Sequence, residues 1–336
     1  MIRLPFALLL AVSVLAGCEK GAQPEPAPDP GERVAVRFTL PDIEGLPVDG
    51  SAPKYLGTKT ALSRDVTVRV VAYRHAAGTP SSGNYVAEQT YAADAAGLLT
   101  PCKVDASGNF TESDPSGALM LPGGTYDFYA ITPALPLAGD HTTVAVPNGM
   151  DYATSATNNG GAGFTFALAD LSGRAVTLTT LQRQCALVEL VVKRDDAFTT
   201  MTSLAVDPDG EGVTLSSLST APLSAAVGAS LTPTPSPPTT SKYNVGAGAF
   251  TATDATTSSA TFYILPKESA VMGITYNLKY TISNIETTKT VAGKVSDIEL
   301  RPGGHYRFTL TISAPGATLT VTDWIDGGTQ DNDMGA

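Results

Sequence analysis

The sequence predicts an all-β protein built from short strands arranged as sandwiches or barrels. Apolar and polar residues alternate with a period of two in several segments, as in strands that are buried on one face. Threonine and valine are abundant in these segments, and clusters of glycine and proline separate them. Sustained helical periodicity is hard to find. We therefore expect antiparallel sheets rather than alternating α/β units.

The first seventeen residues have the layout of a secretory signal peptide. Arg3 precedes an apolar run over residues 4–15, which is too short for a transmembrane helix. Leu15-Ala16-Gly17-Cys18 is similar to the bacterial lipobox, in which the cysteine is acylated and becomes the new N-terminus. The alternative is an ordinary signal peptide followed by a chance cysteine. We expect Cys18 to carry lipid, and residues 18–32, where proline alternates with charge, to form a flexible tether.

The strands that follow are predicted from the alternation, in chain order. The first covers residues 33–40 and places Val34, Val36, Phe38 and Leu40 on one face. Further half-buried strands are predicted at residues 66–73, 176–181, 185–192, 274–282 and 306–312. Two irregular stretches, residues 150–163 and 228–242, are predicted to be loops.

The length of the chain allows two domains with separate cores. After position 17, 319 of the 336 residues remain (336 − 17). A boundary is predicted within residues 172–182, which gives an N-terminal domain at residues 33–175 and a C-terminal domain at residues 176–336.

The charge of the chain excludes some partners. Removing residues 1–17 deletes Arg3 and no acidic residue, so 20 basic residues face 32 acidic ones and the formal charge changes from −11 to −12. Such a surface repels nucleic acid and anionic membranes. No second long apolar run follows the leader, so no other membrane span is expected.

The residue types that carry chemistry form no recognisable catalytic or metal-binding pattern. Three histidines are widely spaced, and no nucleophile elbow, Walker loop or zinc motif occurs. Residues 207–212 hold three carboxylates, but Leu218 stands where a calcium loop needs glutamate, so a tight acidic turn is expected. Cys102 and Cys185 can form a disulfide after export or remain free thiols. We expect no enzymatic activity and no cofactor.

Several segments together resemble the fimbrillin family, the type V pilus subunits and Mfa-like lipoproteins of Bacteroidetes. The resemblance lies in the sum of loose strand and turn patterns that span nearly the whole chain after the leader. The segments are Thr60-Ala-Leu, Val68-Arg-Val-Val-Ala-Tyr73, Leu121-Pro-Gly-Gly-Thr-Tyr-Asp-Phe-Tyr-Ala-Ile-Thr-Pro133, Val146-Pro-Asn-Gly-Met-Asp-Tyr152, Gln184-Cys-Ala-Leu-Val-Glu-Leu-Val-Val192, Phe262-Tyr-Ile-Leu-Pro266, Leu300-Arg-Pro-Gly-Gly-His-Tyr306 and the terminal strand through Trp324.

The resemblance implies two tandem transthyretin-like β-sandwiches on a lipoprotein of the cell outer membrane. It implies a fimbrial subunit whose first strand (Val34, Val36, Phe38, Leu40) is released by an Arg- or Lys-specific protease. The basic residues in the following loop are the cleavage candidates: Lys54, Lys59 and Arg64. A strand from the C-terminal region of the next subunit would then fill the vacated groove.

Residues 317–325 are the candidate donor strand, with Leu319, Val321 and Trp324 as its large apolar residues. Packing of Trp324 within its own sandwich is the alternative for that residue. The expected partners are other fimbrial subunits, the outer membrane and a host or bacterial surface receptor. Lys59 stands where an arginine is common in such proteins, so an uncut subunit that keeps its lipid is also possible. A second functional hypothesis is a stand-alone lipoprotein that binds glycans or proteins without polymerising.

Overall fold

The computed structural model describes residues 33–40, 43–45, 58–60, 66–94, 96–114, 117–167, 174–218, 221–233, 241–314, 316–323 and 329–334. These residues form an all-β protein with 26 strands, as the period-two pattern predicts. Within the described ranges the helical structure is confined to short 3₁₀ turns at Ser82–Asn84, Asn159–Gly161 and Ala247–Ala249. None of these turns approaches the length and hydrophobicity of a membrane-spanning helix.

The strands of the first half and its connections run up to residue 183. They are β1 (Val34–Thr39), β2 (Ile43–Gly45), β3 (Thr58–Thr60), β4 (Thr67–Arg74), β5 (Tyr85–Ala93), β6 (Leu99–Val104), β7 (Phe110–Ser113), β8 (Leu119–Leu121), β9 (Gly124–Thr132), β10 (Thr143–Val146), β11 (Ala153–Thr157), β12 (Phe164–Phe166), β13 (Arg174–Thr177) and β14 (Gln182–Arg183).

The second half contains the remaining strands. They are β15 (Ala186–Arg194), β16 (Met201–Val206), β17 (Val213–Ser216), β18 (Leu223–Ala226), β19 (Lys242–Val245), β20 (Thr251–Asp254), β21 (Thr257–Ile264), β22 (Lys267–Ile282), β23 (Ile285–Leu300), β24 (His305–Ser313), β25 (Gly316–Asp323) and β26 (Thr329–Met334).

In the first half, a large sheet packs against a small one. The large sheet has the order β14-β11-β9-β4-β5-β6-β7, and β12 also pairs with β9. The small sheet has the order β13-β1-β8. Their facing sides enclose one hydrophobic core, which includes Phe38, Tyr91, Phe128 and Phe166. This is the sandwich arrangement that two half-apolar sheets favour.

In the second half, a sheet of order β20-β21-β15-β24-β25-β26 packs on a sheet of order β16-β22-β17-β19, in which β23 also pairs with β22. The core between them includes Leu190, Ile274, Tyr276 and Phe308. The long β22–β23 hairpin turns at Ser283 and Asn284, whose φ angles of 50° and 64° suit a two-residue turn.

A third hydrophobic cluster joins the two halves. Its members from the first half include Val71, Tyr73 and Tyr129, and its members from the second half include Ala225 and Leu265. The short strand β18 leaves the second half and pairs with β10 in an antiparallel two-stranded sheet. The outer face of the large sheet is therefore covered by apolar residues from the other half.

This third cluster corrects the prediction that residues 66–73 form a half-buried strand. In β4, Val68 and Val70 face the first core, whereas Val71 and Tyr73 pack in the third cluster, and all four are fully buried. The prediction was wrong about this strand because apolar layers cover both faces of the sheet that contains it.

The prediction of a loop over residues 150–163 was also wrong, because β11 lies within it and pairs with β9 from Ala153↔Thr132 to Thr157↔Phe128. The domain boundary stays a prediction. The pairing places β13 on β1 and β14 on β11, so strands up to Arg183 belong with sheets of the first half.

Candidate functional site

Strand β1 lies with its apolar face in the core of the first half. Val34, Phe38 and Leu40 are fully buried, and Val36 is 1% exposed. The Phe38 ring makes edge-to-face contacts with Tyr91 and Phe128, at centroid distances of 5.7 and 5.1 Å. The four side chains that the alternation predicts to share one face therefore fill one continuous apolar groove between the two sheets.

The backbone of β1 is paired on both sides. It runs parallel to β13, with Phe38 opposite Val176, and antiparallel to β8, with Val34 opposite Leu121. Removal of β1 would therefore leave the facing edges of β8 and β13 without these ladder partners, around an empty apolar groove. The sequence predicts a strand at residues 176–181, which overlaps β13, but not that either strand pairs with β1, since pairing partners so far apart in the chain leave no local pattern.

One end of the groove closes tightly over Leu40. The Leu40 amide donates a hydrogen bond to the Gly97 carbonyl at 2.8 Å, and the Leu178 amide donates to the Thr39 carbonyl at 2.8 Å. Gly97 has a φ of 80°, and a Cβ at this position would overlap the Leu40 carbonyl oxygen. The close approach of the two backbones at this end thus requires glycine.

Cationic side chains surround the other end of the groove, where β1 begins. The exposed Arg74 lies over the ring of the buried Tyr126, 5.4 Å from its centroid, and Arg174 lies 5.9 Å from the centroid of Phe166. Burial raises the pKa of Tyr126, and the positive charges of Arg74 and Arg33 oppose this rise. Arg33 and Arg74 therefore both act on the Tyr126 hydroxyl at this end, which is called the arginine mouth below.

The predicted cleavage residues follow β1 in the chain. Lys59 is the middle residue of β3, opposite Glu44 in β2. Lys54 and Arg64 lie outside the described residues. Among the strands described, β2 and β3 pair only with each other. The described part of the segment that would carry the cut is therefore not hydrogen-bonded into the larger sheets of either half.

The candidate donor segment forms strand β25, which lies between β24 and β26. The register places Leu319 opposite Leu310 and Val321 opposite Phe308. On its other side β25 pairs with β26, at the edge of the sheet. Trp324 lies outside the described residues. In this structure β25 therefore completes a sheet of its own chain.

An apolar cleft of about 150 Å³ lies beside the first residues of β25. Phe198, Met201, Tyr280, Ile282, Ile312 and Ala317 are among its lining residues. Sequence reasoning missed this cleft, because it is assembled from strands and connections that are far apart in the chain.

The two cysteines are buried, and each histidine has a local polar or aromatic neighbour. Cys102 and Cys185 are buried free thiols, and burial raises the pKa of both, that of Cys185 to about 12. His75 bonds Asp127 at 2.9 Å, His141 stacks on Tyr85, and His305 lies 3.9 Å from Glu189. Within the described ranges, no three potential ligands come together as a metal site.

The acidic stretch 207–212 begins with a turn, in which the Asp209 amide donates to the Asp207 carboxylate at 3.1 Å. Cys18 and the predicted leader and tether, residues 1–32, lie outside the described residues.

Comparisons with known proteins agree with this architecture. A sequence profile of a family described as Fimbrillin-like matches residues 33–326. The fold is similar to that of a proposed cell adhesion protein from Bacteroides fragilis NCTC 9343, with 19% identity and a TM-score of 0.61, over 87% of this chain and 97% of that chain. A proposed cell adhesion protein from Bacteroides ovatus ATCC 8483 is also similar, with 14% identity and a TM-score of 0.55, over 90% and 98% of the two chains. At these identities the likeness shows the fold alone. A search of curated proteins found no match.

Proposed function

This chain belongs to the fimbrillin-like family, and we propose that it is a structural subunit of a cell-surface fimbria that assembles by protease-triggered strand exchange and contributes to adhesion. The resident strand β1 acts as a removable filler of the groove. A strand donated by a second subunit takes its place. A filament built in this way is heterologous and does not close, as a fibre requires.

The observation that carries the proposal is the position of β1. Its inner face fills the core with Val34, Val36, Phe38 and Leu40, and it is hydrogen-bonded on both sides. Each large apolar side chain returned to water costs roughly 1.5–3 kcal/mol. An empty groove is therefore strongly unfavourable, and a donated strand with apolar residues at alternate positions relieves that cost.

The segment between β1 and β4 supports the release step. A cut after Lys54, Lys59 or Arg64 separates β1 from the remainder of the chain, because all three residues lie between β1 and β4. A cut after Lys59 divides β3, and a cut after Arg64 removes the whole β2–β3 hairpin. In each case the released peptide must still slide from between β8 and β13.

Strand β25 is the proposed donor. Leu319 and Val321 stand two residues apart, the spacing of groove-facing residues in β1. Trp324 is out of phase with them in a regular strand. Donation requires β25 to separate from β24 and β26. Among the strands described, β26 is the one that lies outside β25 in this sheet, at its edge.

Limited trypsin digestion of the purified chain lacking residues 1–17 tests the proposal. We expect loss of an N-terminal segment ending at Lys54, Lys59 or Arg64, followed by SDS-resistant ladders. The matched control is the K54A/K59A/R64A variant, which should stay monomeric under the same digestion. N-terminal sequencing identifies the cut. A parent protein that is cut at these sites and stays monomeric would contradict strand exchange, and glycan binding by that monomer would favour the stand-alone lipoprotein instead.

Lipid on Cys18 would attach the subunit to the outer membrane before cleavage. Acyl chains contribute about 0.8 kcal/mol for each buried CH₂ group, so two or three chains hold a protein stably at a membrane. We expect the Cys18→Ala variant to move from the membrane fraction to the soluble fraction of expressing cells. Unchanged fractionation of that variant would refute the lipid anchor.

A further inference from the structure

The two ends of the β1 groove differ in charge, and this difference bears on how a donated strand would enter. The inference rests on the proposed function, because it assumes that β25 of a second copy replaces β1. Either direction of insertion gives the donor one parallel and one antiparallel neighbour, since β1 itself is parallel to β13 and antiparallel to β8. Backbone hydrogen bonding alone therefore does not choose the direction.

The arginine mouth lies at the Val34 end of the groove. Val34 is opposite Leu121, and the following Pro122 carbonyl accepts a hydrogen bond from the Tyr126 hydroxyl at 2.6 Å. Arg74 lies over the Tyr126 ring on the same side. This end of the groove therefore attracts negative charge.

The loop at the Leu40 end contains an aspartate, Asp94, instead. Leu40 bonds Gly97, and the amides of Ala96 and Leu98 both donate to the Asp94 carboxylate at 2.9 Å. An incoming carboxylate at this end would meet a like charge in the loop that closes over the strand.

The donor segment has a matching asymmetry in its sequence. Residues 316–334 contain four aspartates, at positions 323, 326, 331 and 333, and no lysine or arginine. All four follow the apolar residues Ala317, Leu319 and Val321. Asp323 has the same strand phase as these three residues.

These charges distinguish the two directions for a donor whose residues 317–323 fill the groove between the places of Val34 and Leu40. If the donor runs in the same direction as β1 and residues 317–323 align with residues 34–40, Asp323 takes the place of Leu40, at the end of the groove where the Asp94 loop lies. A shift by two residues in the same direction puts Asp323 in the place of Phe38, among aromatic rings, where an unpaired carboxylate is very costly. In the opposite direction, the alignment of Ala317 with Leu40 puts Asp323 at the arginine mouth.

We infer that β25 of a second copy enters the groove antiparallel to the departed β1, with Leu319 in the place of Phe38, Val321 in that of Val36 and Asp323 in that of Val34, facing Arg74. The departing segment carries Arg33 away from the arginine mouth, and the donor brings the Asp323 carboxylate to the adjacent position, that of Val34. Exchange thus removes one positive charge from this end of the groove and adds a negative one, and the later aspartates emerge on the cationic side of the groove.

Crosslinking of the trimmed protein distinguishes the two directions. Met120 lies opposite Ala35 and is 39% exposed. The inferred register puts Thr322 in the place of Ala35, whereas the opposite direction puts Thr318 there. These two residues are about 13 Å apart along a strand. With a short thiol crosslinker, we expect linked oligomers for M120C/T322C and none for M120C/T318C, with the sites read by mass spectrometry of the digested product.

The reverse result, linkage through T318C, would overturn the inferred direction and leave strand exchange intact. Failure of the trimmed parent protein to form any oligomer would overturn strand exchange and the inference with it. These two failures are therefore distinguishable.

Charge reversal tests the role of the arginine mouth. We expect R74E to slow ladder formation about three- to tenfold, and the double variant R74E/D323R to recover the lost rate. The matched control is K294E, which makes the same charge change at an exposed residue of β23. Equal rates for R74E and K294E, or no recovery in the double variant, would show that Asp323 does not face Arg74.

Discussion

At the scale of single residues, Lys267 departs most from what its residue type predicts. It is 2% exposed, and its Nζ atom has no hydrogen-bond partner. Burial lowers the pKa of Lys267 from 10.5 to about 8. A buried ammonium group without a partner destabilises the folded state, because the unfolded chain solvates the charge fully.

We predict that Lys267→Met stabilises the protein. Because the folded pKa is below the unfolded one, the destabilisation is complete below about pH 8 and disappears as the pH rises through 10.5. At pH 7 the gain is up to about 3 kcal/mol. Urea unfolding from pH 7 to 10.5 should show the difference between variant and parent shrinking as the pH rises. Lys294→Met, at an exposed residue, is the control, and a Lys267→Met gain independent of pH would contradict this explanation.

At the scale of strands, the period-two pattern predicted β1, β4, β15, β22 and β24, because each carries large apolar residues at alternate positions. Strand β11 was missed, since its residues Ala153–Thr157 are small or polar and give no alternation in hydrophobicity. The groove residues of β1 were identified from the same pattern. The pairing of β1 with β8 and β13, and the arginine mouth, could not be predicted, because they depend on segments that only the tertiary fold brings together.

Strand β1 supports a prediction about the groove it fills. Phe38 is fully buried and contacts two aromatic rings, so Phe38→Ala leaves a cavity that the surrounding rings fill only in part. We expect the uncut protein to lose about 3–5 kcal/mol of unfolding free energy. Urea unfolding measures this loss. The control is Phe110→Ala in β7, where Phe110 is 47% exposed and the expected change is within about 0.5 kcal/mol. Similar small losses for both variants would mean that β1 contributes little to the core.

At the scale of the whole molecule, the two halves share structure that the sequence pattern did not reveal. Strand β18 pairs with β10 from Thr143↔Ala226 to Val146↔Leu223. Beyond the ladder, the Leu265 amide donates to the Asn148 side chain at 2.9 Å. Each segment is only four residues long, and they lie about eighty residues apart in the chain, so no local signal indicates that they pair.

The segment after β18 docks on the first half through a close contact that only glycine allows. Gly228 has a φ of 78°, and a Cβ there would overlap the ring of Tyr129. Its amide donates to the Thr154 hydroxyl at 3.0 Å, and the Leu231 amide donates to the Gln184 side chain at 3.0 Å. Since buried residues of both halves meet in this cluster, unfolding of one half exposes apolar surface of the other.

We therefore predict that the parent chain unfolds in one cooperative transition and that Gly228→Val divides it into two. The added side chain forces the segment off Tyr129, which uncouples β18 from β10 while leaving the two sandwich cores intact. Differential scanning calorimetry detects the second transition, and hydrogen exchange should show early loss of protection in β10 and β18. Gly248→Val is the matched control, because a Cβ at Gly248 meets no atom within 4 Å and its φ is not in the left-handed region. A single transition for Gly228→Val, as for Gly248→Val, would mean that coupling between the halves does not depend on this contact.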